Sequence, residues 1–216
     1  MQVKSFLGGF DKNLCYLIWC KKTRLASIID PSVEPLEIFE FIESQNLILE
    51  KILITHTHHD HIAYLDDFFY NYPLINIYCH ASPVNNLKKS FIPLDNNQVI
   101  SIGDSLLTTL YTPGHFPDSI CYWSKEQKTI FTGDTIFIGR TGRTVSQGSN
   151  IEDLYNSVYN IILNLPHETV IYSGHHYGFS KSESILFNIK NSPFFQCSQF
   201  AEFVDVMQNF EKNRKK

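Results

Sequence analysis

Apolar residues fall in short runs at two periods, and the breaks between them are polar or glycine-rich. Val3 to Phe6 predicts a first strand, ended by Gly8-Gly9. Asn13 to Cys20 and Leu25 to Ile29 predict two more, joined by the basic turn Lys21-Lys22-Thr23-Arg24 and closed by Asp30-Pro31. Leu36, Phe39, Ile42 and then Leu47 recur at helical spacing, which predicts an amphipathic helix over Glu34 to Asn46. Lys51-Ile52-Leu53-Ile54 reads as a buried strand. Ile62 to Tyr70 predicts a helix with its aromatics on the core, Leu74 to Cys79 a strand, and Ser82-Pro83 the start of a short helix. Asp95-Asn96-Asn97 is a turn before a strand over Gln98 to Ile102, and Gly103-Asp104 a hairpin turn before Leu106 to Tyr111. Ser119 to Trp123 and Thr129 to Phe131 flank a charged turn. Ile151 to Leu165 predicts a helix capped by Asn150, and Thr169 to Tyr172 the last strand. Lys181 to Lys190 and Gln199 to Phe210 predict helices, with Glu211 to Lys216 a solvated basic end. Repeats and low-complexity linkers are absent. Periodicity alone supports an α/β or α+β class: one domain over 1–216 with a short helical tail from about 181.

A length of 216 residues with 43% hydrophobic content suits one folded core. The formal charge of -4 gives no reason to expect nucleic acid or an anionic membrane. No apolar run reaches the roughly 18 residues of a membrane span. The opening Met1-Gln2-Val3-Lys4-Ser5 has no signal-like apolar core, which predicts a cytoplasmic protein. The five cysteines are scattered and odd in number, as expected of buried, reduced thiols.

One stretch changes the picture: Thr55-His56-Thr57-His58-His59-Asp60-His61, directly after the buried strand. Positions i and i+2 of an extended segment point the same way, so His56 and His58 can close on one ion. Asp60 and His61 follow as the chain turns, which suits a second ion nearby. Imidazole with carboxylate is ligand chemistry for Zn, Fe or Mn rather than for Ca or Mg.

The stretch resembles the T-H-x-H-x-D-H signature of the metallo-β-lactamase superfamily. Three further motifs of that superfamily follow in order: Thr112-Pro113-Gly114-His115, Phe131-Thr132-Gly133-Asp134-Thr135 and Ile171-Tyr172-Ser173-Gly174-His175. The resemblance implies a four-layer αββα sandwich with the ligands on loops at one edge. It also implies two divalent ions, first of all Zn, with Fe or Mn as alternatives. His56, His58 and His115 would hold one, Asp60, His61 and His175 the other, and Asp134 would bridge them. Such a pair lowers the pKa of a shared water toward 7, so a metal-bound hydroxide is at hand, oriented by Asp60 and Asp134. Asp30 stands where the superfamily carries an acidic residue behind the metals. His59 fills a variable position and is expected not to be a ligand, and His80 and His167 are expected at the surface. His176 is expected to point away from His175.

The segment Asp134-Thr135-Ile136-Phe137-Ile138-Gly139-Arg140-Thr141-Gly142-Arg143 is similar to one in hydroxyacylglutathione hydrolases (glyoxalase II) and in persulfide dioxygenases. By that resemblance Arg143 and Tyr177 bind the thiol part of the substrate. Thr141 stands where both families often have Cys. The opening Asn13-Leu14-Cys15-Tyr16-Leu17 resembles the hydrolases. The tail is too short for the helical domain of long glyoxalase II and looks more like that of the dioxygenases and small bacterial hydrolases, and His176 stands where the dioxygenases usually have Asp. The expected function is therefore hydrolysis of a small-thiol thioester, such as a glutathione-derived one, by a monomer or homodimer. The alternative is a mononuclear iron persulfide dioxygenase using His56, His115 and Asp134. A non-catalytic metal-binding module is the alternative of another class, and would be expected to have lost a ligand.

Overall fold

The computed structural model describes residues 1–214. β1 (Gln2–Gly8), β2 (Asn13–Trp19), β3 (Leu25–Ile29), β4 (Ile48–Leu53), β5 (Asn76–His80) and β6 (Ile92–Leu94) lie side by side in chain order as one sheet. The first two pairings are antiparallel and the rest parallel. A second sheet is built from β7 (Val99–Ile102), β8 (Ser105–Tyr111), β9 (Ile120–Ser124) and β10 (Thr129–Gly133). After the small hairpin β11 (Ile136–Phe137) and β12 (Arg140–Thr141), β13 (Val170–Ser173) pairs parallel with β10. β14 (Ser182–Ser184) closes that edge.

Five α-helices cover the outer faces: α1 (Leu36–Ser44), α2 (Leu65–Asn71), α3 (Ile151–Asn156), α4 (Ile185–Asn191) and α5 (Phe200–Arg214). Three buried clusters define the layers. Cys15, Leu17, Ile28, Ile52 and Ile77 of the first sheet pack with Ile38, Ile42 and Phe68 of α1 and α2. Leu14, Tyr16, Ile18, Ile29 and Leu53 meet Ile100, Ile102, Leu107, Tyr122 and Phe131 between the sheets. Cys121, Ile130 and Ile171 pack with Leu154, Val158, Ile185, Phe203 and Met207 on the far side. Alternate residues of β2 thus serve two cores, which is why that strand is apolar from Leu14 to Trp19 instead of alternating with polar positions. The arrangement is the αββα sandwich.

Most predicted elements lie within a few residues of their expected bounds. The helix expected from Ser82-Pro83 does not form. The segment is irregular because side chains take its backbone donors: Val84 N–H donates to Asp118 Oδ2 at 2.9 Å, and Asn85 N–H to Thr57 Oγ1 at 2.9 Å. The predicted helix 151–165 keeps its Asn150 cap, which accepts from the Glu152 and Asp153 amides, but α3 runs on into π and then 3-10 turns. The helix expected from Lys181 is preceded by β14, and α5 extends to Arg214, so Glu211 lies in its last turn. Lys215 and Lys216, the end of the expected basic tail, lie outside the described residues. All five cysteines are free and buried. No helix among the described residues is long and apolar enough to cross a membrane.

Candidate metal centre

Four strands of the two sheets deliver donors to one edge of the sandwich. β4 runs into Thr55–His61, β8 into the loop of His115, β10 into Asp134 and β13 into His175. The loop after β4 is held from behind by Asp30, which follows β3 with φ 52. Its Oδ1 accepts the Thr55 backbone N–H and its Oδ2 the Thr55 hydroxyl, both at 2.7 Å.

The seven predicted donors converge. His58 Nδ1 lies 3.0 Å from His56 Nε2 and 3.1 Å from His115 Nε2. His175 Nε2 lies 3.2 Å from both His61 Nε2 and Asp60 Oδ2. Within each trio the donor atoms fall within 4.8 Å of one another, so each could hold an ion. Asp134 stands between them, with Oδ2 3.5 Å from His115 Nε2 and 3.3 Å from His175 Nε2, and Oδ1 3.3 Å from His61 Nε2. Gly174 is required here by close approach. A Cβ on it would overlap Asp134 Oδ1 and come within 2.6 Å of His61 Cε1.

The outer nitrogens fit a metal role for the inner ones. His115 Nδ1 is 2.7 Å from the Arg143 carbonyl, His175 Nδ1 2.8 Å from the Asp11 carbonyl and His61 Nδ1 2.8 Å from Asp30 Oδ2. Those oxygens only accept, so each Nδ1 carries a proton and each Nε2 faces inward, a lone pair for a metal ion once it holds no proton of its own. Asp134 Oδ1 is buried with no hydrogen-bond partner. Lone pairs and an orphaned carboxylate oxygen gathered at 3–3.5 Å are what a cation satisfies.

The two trios differ in charge. Burial, together with neighbouring imidazoles, pushes His56 and His115 down and His58 to about 4, so this trio is neutral near pH 7. Burial would also lower His61 and His175, but Asp134 with Asp30 raises the first, and Asp134 with Asp60 raises the second to about 9. Asp60 and Asp134 are held below the ordinary carboxylate range: burial opposes this, but neighbouring His175 and His61 outweigh it. Metal and proton therefore compete at the second trio far more than at the first.

The centre opens into a cleft of about 180 Å³ lined by Arg140, Arg143, Phe137, Tyr177 and Arg214 as well as the donors. Larger grooves, such as one of about 530 Å³ by Leu49, Tyr72 and Tyr78, include none of the donors. Tyr177 stacks on His175, with centroids 4.8 Å apart and planes 6° apart, and its hydroxyl donates to Asp11 Oδ2 at 2.7 Å. The Arg143 side chain makes a paired contact with Glu211 of α5, Nε to Oε1 at 2.6 Å and Nη2 to Oε2 at 2.7 Å. Thr141 is buried beneath α5, its hydroxyl 3.2 Å from Met207 Sδ. His59 and His167 are exposed. His80 is half-buried and stacks on Tyr111, while His176 is half-buried with Nε2 unpartnered.

Sequence reasoning missed four residues here. Asn13 Nδ2 donates to Asp60 Oδ2 at 2.8 Å, and Asp11 accepts through its carbonyl and its carboxylate. Asp118 fastens Thr57, and Arg140 lines the cleft. Asn13 belongs to the quoted opening run, and Arg140 precedes Arg143 by three residues in the quoted segment, so a signal existed for both. Asp118 follows His115 by three residues, but its target is 61 residues away and nothing local announces it.

The family model described as the metallo-beta-lactamase superfamily matches residues 8–175. A probable hydroxyacylglutathione hydrolase, glo2 of Schizosaccharomyces pombe, is 30% identical over 94% of this chain and 77% of its own. A probable polyketide biosynthesis zinc-dependent hydrolase, BaeB of Bacillus velezensis, is 29% identical over 99% of this chain and 94% of its own. Among solved structures, ETHE1 from Myxococcus xanthus aligns with a TM-score of 0.86 at 27% identity, covering 97% of this chain and 91% of that one. The two curated relatives are named as hydrolases, one of them zinc-dependent, which supports a metal-dependent hydrolase. The chain belongs to the metallo-beta-lactamase superfamily, in the branch that holds the hydroxyacylglutathione hydrolases and ETHE1.

Proposed function

We propose that the protein hydrolyses the thioester of a small thiol, as a hydrolase of glyoxalase II type, with His56, His58 and His115 holding one metal ion and Asp60, His61 and His175 a second, bridged by Asp134. The observation that carries this reading is the double donor set opening into a single narrow cleft whose far wall is cationic and aromatic. When bound, a pair of divalent ions supplies hydroxide near neutral pH and an electrophile for the carbonyl oxygen.

The chain's own residues do the rest. Asp60 and Asp134 stay ionised, because each is held below the ordinary carboxylate range. They accept hydrogen bonds from the attacking water and fix its direction. Asn13 Nδ2, on Asp60 Oδ2 at 2.8 Å, keeps that carboxylate turned to the cleft. The leaving group is a thiolate, whose ordinary pKa near 8.5 lets it depart without a strong acid. Among the described residues that line the cleft, Tyr177 and Ser146 carry hydroxyls, and that of Tyr177 already donates to Asp11. Tyr177, with the arginines, contacts the thiol part, remote from the bond that breaks.

A second reading, a mononuclear iron persulfide dioxygenase using His56, His115 and Asp134, is favoured by the similarity to ETHE1 over 97% of the chain. The test loads metal-free protein with Zn or with Fe(II). Thioester turnover on S-lactoylglutathione with two ions per chain is the expected result. Oxygen uptake with glutathione persulfide by a one-iron form, without thioester turnover, would select the second reading.

A further inference from the structure

We propose that Asn13, through the β1–β2 turn that it caps, sets the affinity of the second metal ion independently of the first, as a positioning residue. The inference rests on the ligand assignment proposed above and goes beyond it by naming the element that governs one trio alone.

Asn13 has no exposed surface. Its Oδ1 accepts the backbone N–H groups of Phe10 and Asp11, both at 3.1 Å. Two donors on that oxygen fix the amide, because the flipped form would set Nδ2 against two N–H groups. Nδ2 is thereby aimed at Asp60 Oδ2, 2.8 Å away. That oxygen is the one that lies 3.2 Å from His175 Nε2. Asn13 takes one of its lone pairs and leaves another for an ion.

The capped turn also orients His175. With Phe10 and Asp11 pinned, the Asp11 carbonyl meets His175 Nδ1 at 2.8 Å, and Asp11 Oδ2 accepts from the hydroxyl of Tyr177, whose ring lies flat on His175. The backbone adds to this grip. Leu14 N–H donates to the Gly174 carbonyl at 2.8 Å and His176 N–H to the Lys12 carbonyl at 2.9 Å, so Asn13 and His175 face each other in a single antiparallel bridge. One buried side chain therefore orients two of the three donors of the second trio.

The first trio has other supports. Asp118 fastens Thr57, and the Arg143 carbonyl holds His115. Among the described residues no hydrogen bond joins residues 9–14 to His56, His58 or His115. The two ions thus answer to different parts of the chain. Coupling is reciprocal, so an ion in the second trio must also hold the turn in place.

The test titrates metal-free protein with zinc against a chromogenic chelator, which gives two stepwise affinities. It compares wild type with Asn13→Ala, Asn13→Ser and His175→Ala. Serine keeps an acceptor for the turn amides but does not reach Asp60. His175→Ala lacks a donor of the second trio and marks which step belongs to it. Hydrogen exchange of the peptide over 9–13 is followed along the same titration. In both Asn13 variants that step should weaken about 10–100-fold, with the other within about threefold of wild type. In wild type, exchange over 9–13 should slow only as that step fills, and the Asn13 variants should lose the slowing. The exchange measurement on wild type reads the proposal even where a variant fails to fold. Both affinities falling together, an unchanged second-trio affinity, or exchange slowed by the first-trio ion overturns the proposal. Wild type that takes up a single zinc overturns it together with the ligand assignment. Wild type whose second ion depends on Asn13, yet which cleaves no thioester, would sink the hydrolase reading and leave this one standing.

Discussion

Asp118 Oδ1 accepts the Thr57 backbone N–H at 3.2 Å across a separation of 61 residues, so the residue between His56 and His58 is fastened from the loop that carries His115. The Asp118 carboxylate also takes the Thr57 hydroxyl and the Val84 amide, and it is 1% exposed. It thereby joins three loops whose relative placement sets the spacing of the first trio.

Replacing Asp118 by Asn removes one acceptor and turns an amide donor toward donors. Partners of this kind, which hold ligands rather than metal, typically alter metal affinity 10–100-fold. We expect zinc affinity and activity to fall by about that much, with a loss of about 1–3 kcal/mol from stranded buried donors. Competition of the purified variant against a chromogenic chelator checks this. Zinc affinity within twofold of wild type would show that the three-loop junction does not set the donor spacing.

Gly174→Ala tests the close approach at the second trio. A methyl group there would meet Asp134 Oδ1 and the His61 ring, both buried and unable to retreat. The expected outcome is a drop from two ions per chain to one with the thioester activity lost, read by elemental analysis after dialysis. Two tightly held ions in the variant would contradict it.

The fold and the donors were legible in the sequence for different reasons. Strands such as β2 announce themselves because both faces are buried, so that Leu14 to Trp19 is an unbroken apolar run. The seven donors are legible because each follows a strand within a few residues. Asp118 was not, because its role is set by a residue far along the chain, at Thr57. The missing helix at Ser82 follows the same rule. Pro83 gives a good local start, but Asp118 and Thr57 claim the amides that a helix would have used. Local propensity decides only where tertiary acceptors do not compete.

His58→Ala should remove activity and the first ion while leaving the sandwich intact. The side chain is only half-buried and sits on a loop held by Asp30 and Asp118 rather than in any of the three cores. Far-UV circular dichroism should be unchanged and the unfolding midpoint of the metal-free form within a few degrees of wild type. Unfolding of the variant under conditions where metal-free wild type is folded would reassign the residue to a structural role.

The stability of the metal-free protein should peak near pH 6.5 and fall on both sides. His58 titrates near 4 in the fold, and His56 and His115 are lowered too, against about 6.5 in an unfolded chain. Between pH 6.5 and 4 the unfolded chain binds protons that the folded one refuses, so stability drops as pH falls. His175 behaves oppositely. Raised to about 9, it contributes stability in full below 6.5, and that contribution is lost as pH climbs through 9; His61 shifts in the same direction. Each limb should be on the order of 3–4 kcal/mol, at about 1.4 kcal/mol per pKa unit. Zinc takes the place of the protons on His61 and His175, so saturating metal should erase the alkaline limb while the acid limb deepens as protons displace the ion. Urea unfolding of chelator-stripped and zinc-saturated protein from pH 4.5 to 9.5 measures both. An alkaline limb that persists with zinc bound would mean that His61 and His175 are not ligands.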